Sequence, residues 1–403
     1  MDAAIEKTLL TKEQYLEVVI YKALTENHQI AVWRKPKQNL VEVIIDSQPE
    51  TQQVNPDLEN LPAGFLIHPF LGKKDGKSYF IQAESYFSFL LNDETPFEEE
   101  QAFGNTPASR PEGFKDILRK KLMEKNPSRR DLVSTPKEDF LKMVEEAVAV
   151  INSGNMYKVV PARIKKMTLG ATFDIALTFL KLCEAYPNAF VNFFHTSESG
   201  SWFGASPETL IETKGDLFYT MSLAGTQQAT GNNPLKTAAW TQKEIEEQAL
   251  VSRYIVNCFK KIRLREYEEI GPKTTIAGGL LHLKSDFRVD MKATNFPQLG
   301  SVMLELLHPT SAVCGMPKES ALEFIQKHEK FDRSFFSGYI GPVNIGEETS
   351  IFVNLRCAQL QGGDILLYAG AGVTEDSVPE KEWKETEMKC DIIGKFINST
   401  DSV

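Results

Sequence analysis

From residue 135 onward, apolar positions fall by turns at helical and at strand spacing. Phe140, Met143, Val144, Ala147 and Ile151 recur every three or four residues, which predicts an amphipathic helix over 136–154. Thr135 and Glu138 form a T-x-x-E capping box around a proline at the first helical position. A strand is predicted over 156–164 and a helix over 173–186, followed by strands at 190–194, 201–205, 209–213 and 217–221. A polar loop at 227–236 leads into a long helix over about 241–264. Beyond it come a helix ending near Leu307, another over 318–328, strands at 337–343, 351–360 and 365–369, and a last helix over 380–397.

The first hundred residues differ. Short apolar runs at 30–33, 41–45, 65–70 and 79–82 alternate with polar turns, as antiparallel strands do. Residues 93–134 are rich in Pro, Glu, Lys and Arg and read as a loop or hinge. There is no internal repeat. Strands cluster and helices intersperse without strict alternation, so the expected class is α+β with a large antiparallel sheet. All 403 residues fit one domain, with a less motif-rich part over 1–130 and a core over 136–398.

Charge narrows the partners. Net charge is −10, from 55 acids against 45 bases, and such a surface repels nucleic acid and anionic membranes. Lys260, Lys261, Arg263 and Arg265 make the best basic patch, but Glu266, Glu268 and Glu269 follow at once, so the run reads as a solvated helix face. No apolar run reaches the roughly 18 residues of a membrane span, and the N-terminus has no signal-peptide core. Five scattered cysteines contain no CxxC pair and six histidines no HExxH, so neither zinc nor a disulfide framework is signalled. A cytoplasmic protein is expected.

Several polar residues stand where chemistry is possible. Glu244 and Glu247 lie three apart on one predicted helix, and Glu382 and Glu385 repeat that spacing near the C-terminus. Brought together, the pairs offer hard oxygen ligands of the kind Mg²⁺ takes; apart, each is ordinary surface helix. Lys158, among Tyr157, Val159 and Val160, becomes a general base if it faces inward and is desolvated. Glu208 follows a tight Gly-Ala-Ser-Pro turn. Leu223-Ala-Gly-Thr226 and Tyr368-Ala-Gly-Ala-Gly372 let backbone N–H groups approach an anion closely, although simple turns use the same residues. Arg356 sits inside an apolar strand and needs an anion to pair with.

In order, these segments resemble the chorismate-utilising enzymes, the isochorismate, salicylate, anthranilate and aminodeoxychorismate synthases. The series runs from Tyr157-Lys-Val-Val-Pro-Ala-Arg163 through Gly204-Ala-Ser-Pro-Glu208, Leu223-Ala-Gly-Thr226, Glu244-x-x-Glu247, His308-Pro-Thr310 to Gly315-Met-Pro317, Leu355-Arg-Cys-Ala358, Ala369-Gly-Ala-Gly372 and Glu382-Trp-Lys-Glu-Thr386. It covers about 158–389. The resemblance implies two lobes of antiparallel sheet with helices outside, as in anthranilate synthase component I, and is strongest to isochorismate synthases.

For the site, the resemblance implies Lys158 as the base that activates water for attack at C2 of chorismate. Glu208 is the implied acid that protonates the departing C4 hydroxyl. Glu247 and Glu385 match the Mg²⁺ ligands, with Glu244 and Glu382 beside them. Substrate-binding positions correspond to Gly225, Thr226, His308, Thr310, Ala312, Val313, Arg356, Tyr368, Gly370, Gly372 and Lys389. These roles require a lysine pKa below and a glutamate pKa above the usual values. Amine-forming members usually carry glutamine in place of Lys158 and draw on a glutaminase partner, so none is expected here. Gln248 stands where a histidine commonly follows the metal-binding glutamate, and Thr226 where many isochorismate synthases have serine. A salicylate synthase, which goes on to eliminate pyruvate, and a chorismate-binding relative without turnover are the alternatives. The product would feed menaquinone or catecholate siderophore synthesis, with menaquinone preferred.

Overall fold

A computed structural model describes residues 9–72, 76–93, 95–98, 113–124, 131–229, 233–277 and 280–397. Its framework is two stacked antiparallel sheets. Among the described residues one has eight strands and the other nine. Strand alternation explains the layering. In Gln29–Arg34, Ile30 and Val32 point to an outer core with the helices Lys12–Thr25, Ile175–Ala185 and Pro379–Gly394, whereas Ala31 and Trp33 face the second sheet. Trp33, Phe65, Phe190, Phe194, Trp202 and Phe352 fill the space between the sheets. The nine-stranded sheet turns Leu66, Phe80, Phe218, Phe287, Ile351 and Val353 toward the helices Lys137–Asn152, Gln242–Lys261, Leu299–Leu307 and Lys318–His328. The result is helices, sheet, sheet, helices. It matches the α+β expectation of two antiparallel lobes with helices outside.

Two neighbouring strands change sheets at the same level. Gly200–Ser206 belongs to the eight-stranded sheet, and after Pro207-Glu208 the chain continues as Thr209–Lys214 in the other. Beside it, Glu348–Val353 leaves the nine-stranded sheet and becomes Cys357–Gln361 in the first. Each crossing is paired to the other: Val353 N donates to Glu208 O, and Ala205 N to Arg356 O, both at 3.0 Å. The predicted strand 351–360 is therefore two strands, and Arg356 lies in the break with φ +47° rather than inside a strand.

Other expectations are corrected. The strand predicted over 156–164 is interrupted at Val160-Pro161, giving Lys158–Val159 and Ala162–Thr168. Thr135 does not cap a helix: Pro136 is the N-cap of Lys137–Asn152 without a side-chain bond, and the Thr135 hydroxyl accepts from Ile164 N at 3.1 Å. The apolar runs of the N-terminal region form strands as expected, but the helix Lys12–Thr25, capped by Thr11 and Gln14, precedes them. The segment read as a hinge contains the helix Phe114–Leu122; much of its remainder, and residues 230–232 of the polar loop, lie outside the described residues. The charged run at 260–269 is no helix face: the helix ends at Lys261, the chain turns at Arg263, and a strand begins at Glu268.

A buried ion pair fastens this framework under the short strand of Lys158. Arg333 donates to Glu329, to Val160 O at 2.6 Å and to Val313 O at 2.9 Å, and lies over the Phe70 ring. Glu329 also accepts from Ala162 N at 2.8 Å, and both side chains are 2% exposed. Removing one partner strands a buried charge. Arg333→Met should therefore cost about 3–5 kcal/mol in urea denaturation, and the double variant with Glu329→Gln distinctly less.

Candidate active site

The paired crossings open a cleft between the lobes. Its volume is about 560 Å³ with the mouth included, and its walls include Glu208, Gly225, Thr226, Glu247, Ala312, Val313, Arg356, Gly370, Gly372 and Lys389. Segments far apart in the chain thus meet at one place, and ten of the residues singled out from the sequence line it.

Glu208 and Arg356 enter from the two crossings. Burial holds the Glu208 carboxyl protonated up to about 8, against the lowering influence of Lys158, Arg356 and Lys389. Arg356 is buried, its Nε has no protein hydrogen-bond partner among the described residues, and burial lowers its pKa to about 10. A guanidinium so placed calls for an anion in the cleft.

Lys158 is fully buried on the two-residue strand Lys158–Val159, paired with Gly315–Met316. Gly315 is required here, since a Cβ would overlap Lys158 O. Nζ lies 2.9 Å from Glu247 Oε1 as an ion pair. Lys158 thus faces inward and is desolvated, as the sequence reading required, but it stands as one half of a lysine–carboxylate pair. Burial pushes the Glu247 pKa up, but Lys158 outweighs it and keeps Glu247 ionised. Gly372 packs on this pair; a Cβ there would overlap Glu247 Oε1 and come within 3.2 Å of Lys158 Cε.

The other predicted acids are held separately. Glu385 bonds Lys389 Nζ at 2.6 Å, and Lys389 also donates to Gly370 O at 2.8 Å. Glu382 is 1% exposed and accepts from Lys243; burial raises its pKa. Glu244 caps its own helix through Thr241 N and accepts from Gln227 Nε2 at 3.2 Å. Among the described residues only Glu13, Glu17 and Asp174, on the other side of the fold, bring three ligand atoms within 4.8 Å of one another. The four glutamates nevertheless suit a hard divalent cation. They are all oxygen donors, Glu385 acts electrostatically on Glu382, and Mg²⁺ binds through one or two carboxylates plus water and ligand oxygens rather than a closed cage.

Lys158, Glu244, Glu382 and Glu385 stand behind the lining, and three of the expected substrate-binding residues lie elsewhere. His308 is not in the cleft wall: its ring stands edge-on to His68 and Tyr339, and Nε2 lies 3.2 Å from Phe70 O. Tyr368 stacks on Trp202 and Phe336 between the sheets and donates to Gln359. Thr310 is buried beside the wall residues Ala312 and Val313, with Oγ1 lacking a protein partner among the described residues. Gln248 faces away from the cleft, its Nε2 3.0 Å from the hydroxyls of Ser222, Ser252 and Ser285, so it ties the helix to the sheet.

Sequence reasoning missed His282. It sits on Leu280–Asp290, one of two long strands without an expectation, and lines the cleft. Its Nδ1 is 2.6 Å from Gly225 O, which only accepts, so the hydrogen is on Nδ1. Nε2 is left as a buried acceptor without a protein partner among the described residues, and burial lowers the ring pKa to about 3.

Comparison with solved structures first shows the fold. The fold matches an isochorismate synthase (DhbC) of Bacillus anthracis with a TM-score of 0.70 at 21% identity, over 94% of this chain and 99% of that one. It also matches anthranilate synthase component I of Streptococcus pneumoniae with a TM-score of 0.62 at 18% identity, over 98% and 93%. A family model described as "Chorismate binding enzyme" matches residues 88–398, and the chain belongs to that family. Among curated relatives, isochorismate synthase EntC of Escherichia coli (strain K12) is 29% identical over 255 residues, covering 62% of this chain and 64% of that protein. Isochorismate synthase MenF of the same organism is 25% identical over 261 residues, covering 63% and 59%. The chain thus spans less than two thirds of the length of these two relatives.

The protonated state of Glu208 makes a prediction about stability. Its folded pKa is raised to about 8 from 4.5, so between those values the unfolded chain releases a proton that the folded protein keeps. Stability therefore falls as pH rises through this window and levels off above it. Glu208→Gln should remove roughly 4 kcal/mol of that pH dependence, measured as unfolding free energy at pH 5 and pH 8.5.

Proposed function

We propose that the protein is an isochorismate synthase, moving the hydroxyl of chorismate from C4 to C2. The observation that carries this is the cleft itself, where a carboxyl held protonated to about pH 8 stands near a buried lysine and a buried guanidinium whose Nε has no protein partner among the described residues. The relatives named isochorismate synthase support the same reading.

Chorismate carries two carboxylates. Arg356, Lys389 and the backbone at Gly225 and Gly370 to Gly372 meet their charge, with Thr226 offering a hydroxyl. Lys158 is paired as an ammonium with Glu247; it serves as base only after giving up that proton, and its free amine then takes one from the water that attacks C2. The ring double bonds shift, the C4–O bond breaks, and Glu208 gives its proton to the departing hydroxide, which leaves as water. One water is consumed and one released, so the net change is an isomerisation. His282 Nε2 accepts a hydrogen bond from a hydroxyl in the cleft, since it has no proton to donate. Mg²⁺ held by Glu247 and Glu385, with Glu244 and Glu382 nearby, would supply a positive anchor for the ring carboxylate. Glu247 is then shared between Lys158 and the cation site.

Purified protein with chorismate and Mg²⁺ should yield isochorismate without pyruvate, by chromatography with a coupled pyruvate assay. Salicylate with stoichiometric pyruvate would make it a salicylate synthase instead, and no conversion would remove the enzyme reading. Lys158→Ala should lower kcat by about 10²–10⁴-fold while the protein still binds chorismate. Because Glu208 must be protonated, kcat/KM should fall as pH rises through about 8, and an activity that keeps rising to pH 9.5 would exclude Glu208 as the acid.

A further inference from the structure

Lys243 has no part in the mechanism above, yet it stands among its acids. It lies in the first turn of Gln242–Lys261, beside Glu244, and its Nζ bonds Oε1 of the buried Glu382. Its charge also acts on Glu247 and Glu385. The two other lysines near the cluster are matched in the same way, Lys158 to Glu247 at 2.9 Å and Lys389 to Glu385 at 2.6 Å. Glu244 is engaged by its own helix N-terminus. Every acid of the cluster therefore already has a partner, three of them an ammonium.

Four carboxylates against three ammonium groups leave little net negative charge to attract a free divalent cation. Lys158 and Lys389 are needed for chemistry and substrate, whereas Lys243 touches only acid. We propose that Lys243 is a built-in counter-cation: it holds Glu382 away from the divalent ion and keeps the cluster's affinity for that ion low until chorismate supplies further anionic oxygens. This rests on the reading that the glutamates take a divalent cation. Without Lys243 the cluster gains one unbalanced negative charge and frees an oxygen donor, so the empty enzyme should hold the ion more tightly. With substrate present, its carboxylates supply part of that attraction, and metal and chorismate each strengthen binding of the other.

Mn²⁺ serves as the probe, its free concentration read by electron paramagnetic resonance without any turnover. Lys243→Met should bind Mn²⁺ roughly ten-fold more tightly than wild type in the absence of chorismate, an effect of the size one close charge exerts at the protein surface. Lys243→Arg should stay near wild type. Equal or weaker binding by Lys243→Met would overturn the proposal. Glu385→Gln separates the two ways of failing: if Mn²⁺ binding persists in that variant, the cation site itself has been misplaced. A second measurement needs no variant that must fold. An equilibrated chorismate–isochorismate mixture should raise wild-type Mn²⁺ affinity by about ten-fold, and absence of that enhancement also overturns the proposal.

Discussion

Two adjacent strands that exchange sheets at one level are the constraint on which the rest of the molecule depends. A strand that changes partners must break its ladder, and the backbone groups released there are buried. Here each break satisfies the other, through Val353 N to Glu208 O, Ala205 N to Arg356 O, and the Ser206 hydroxyl to Val353 O. The crossings hold the sheets together and leave a gap where side chains from both lobes converge. Glu208 and Arg356 occupy the breaks themselves, so the residues with the most to lose from burial sit where the backbone is most firmly fixed.

That placement explains why neighbouring carboxyls take opposite states. Glu208 has cations near it but none bonded to it, so desolvation wins and it keeps its proton. Glu247 is also buried, yet an ammonium at 2.9 Å reverses the balance and it stays ionised. Burial is common to both, and direct contact with a charge separates them. One cleft thus holds a carboxyl that can give a proton and a carboxylate that holds a cation.

Much of this was legible in the sequence, for identifiable reasons. Helices whose apolar stripe faces a sheet, such as Lys137–Asn152 with Phe140, Met143 and Val144, announce themselves by periodicity. Residues fixed by backbone turns, such as Glu208, Gly225 and Gly372, stood out through their small-residue surroundings. Breaks were invisible. Ile351 to Leu360 is apolar apart from Asn354, Arg356 and Gln359, because both halves are buried, and nothing in composition tells one strand in one sheet from two strands in two. The edge strand Glu268–Ala277 failed differently, being polar and largely exposed, and its partner Leu280–Asp290 was lost with it, taking His282 along. Ion pairs such as Lys158 to Glu247 join residues about ninety positions apart, and only the folded chain reveals them.

The cleft also depends on charges outside it. Lys158 sits on a strand of two residues, far too short to hold a side chain in place through its own ladder. Its position is borrowed: Arg333 grips Val160 O and Val313 O, Glu329 takes Ala162 N, and the two neutralise each other. On the opposite wall Arg163 plays the matching part for the helix carrying Glu382, Glu385 and Lys389. It donates to Thr386 at 2.6 Å and to Glu387, and packs 3.9 Å from the Trp383 ring centre. Arginine suits both places because its planar fork satisfies several acceptors at once while its face lies on an aromatic ring. A lysine ammonium also has three donors, but it cannot hold its acceptors in one plane while lying flat on a ring. The polar groups of the cleft are thus positioned by guanidinium clamps behind the walls, and its own side chains are left free to meet a ligand.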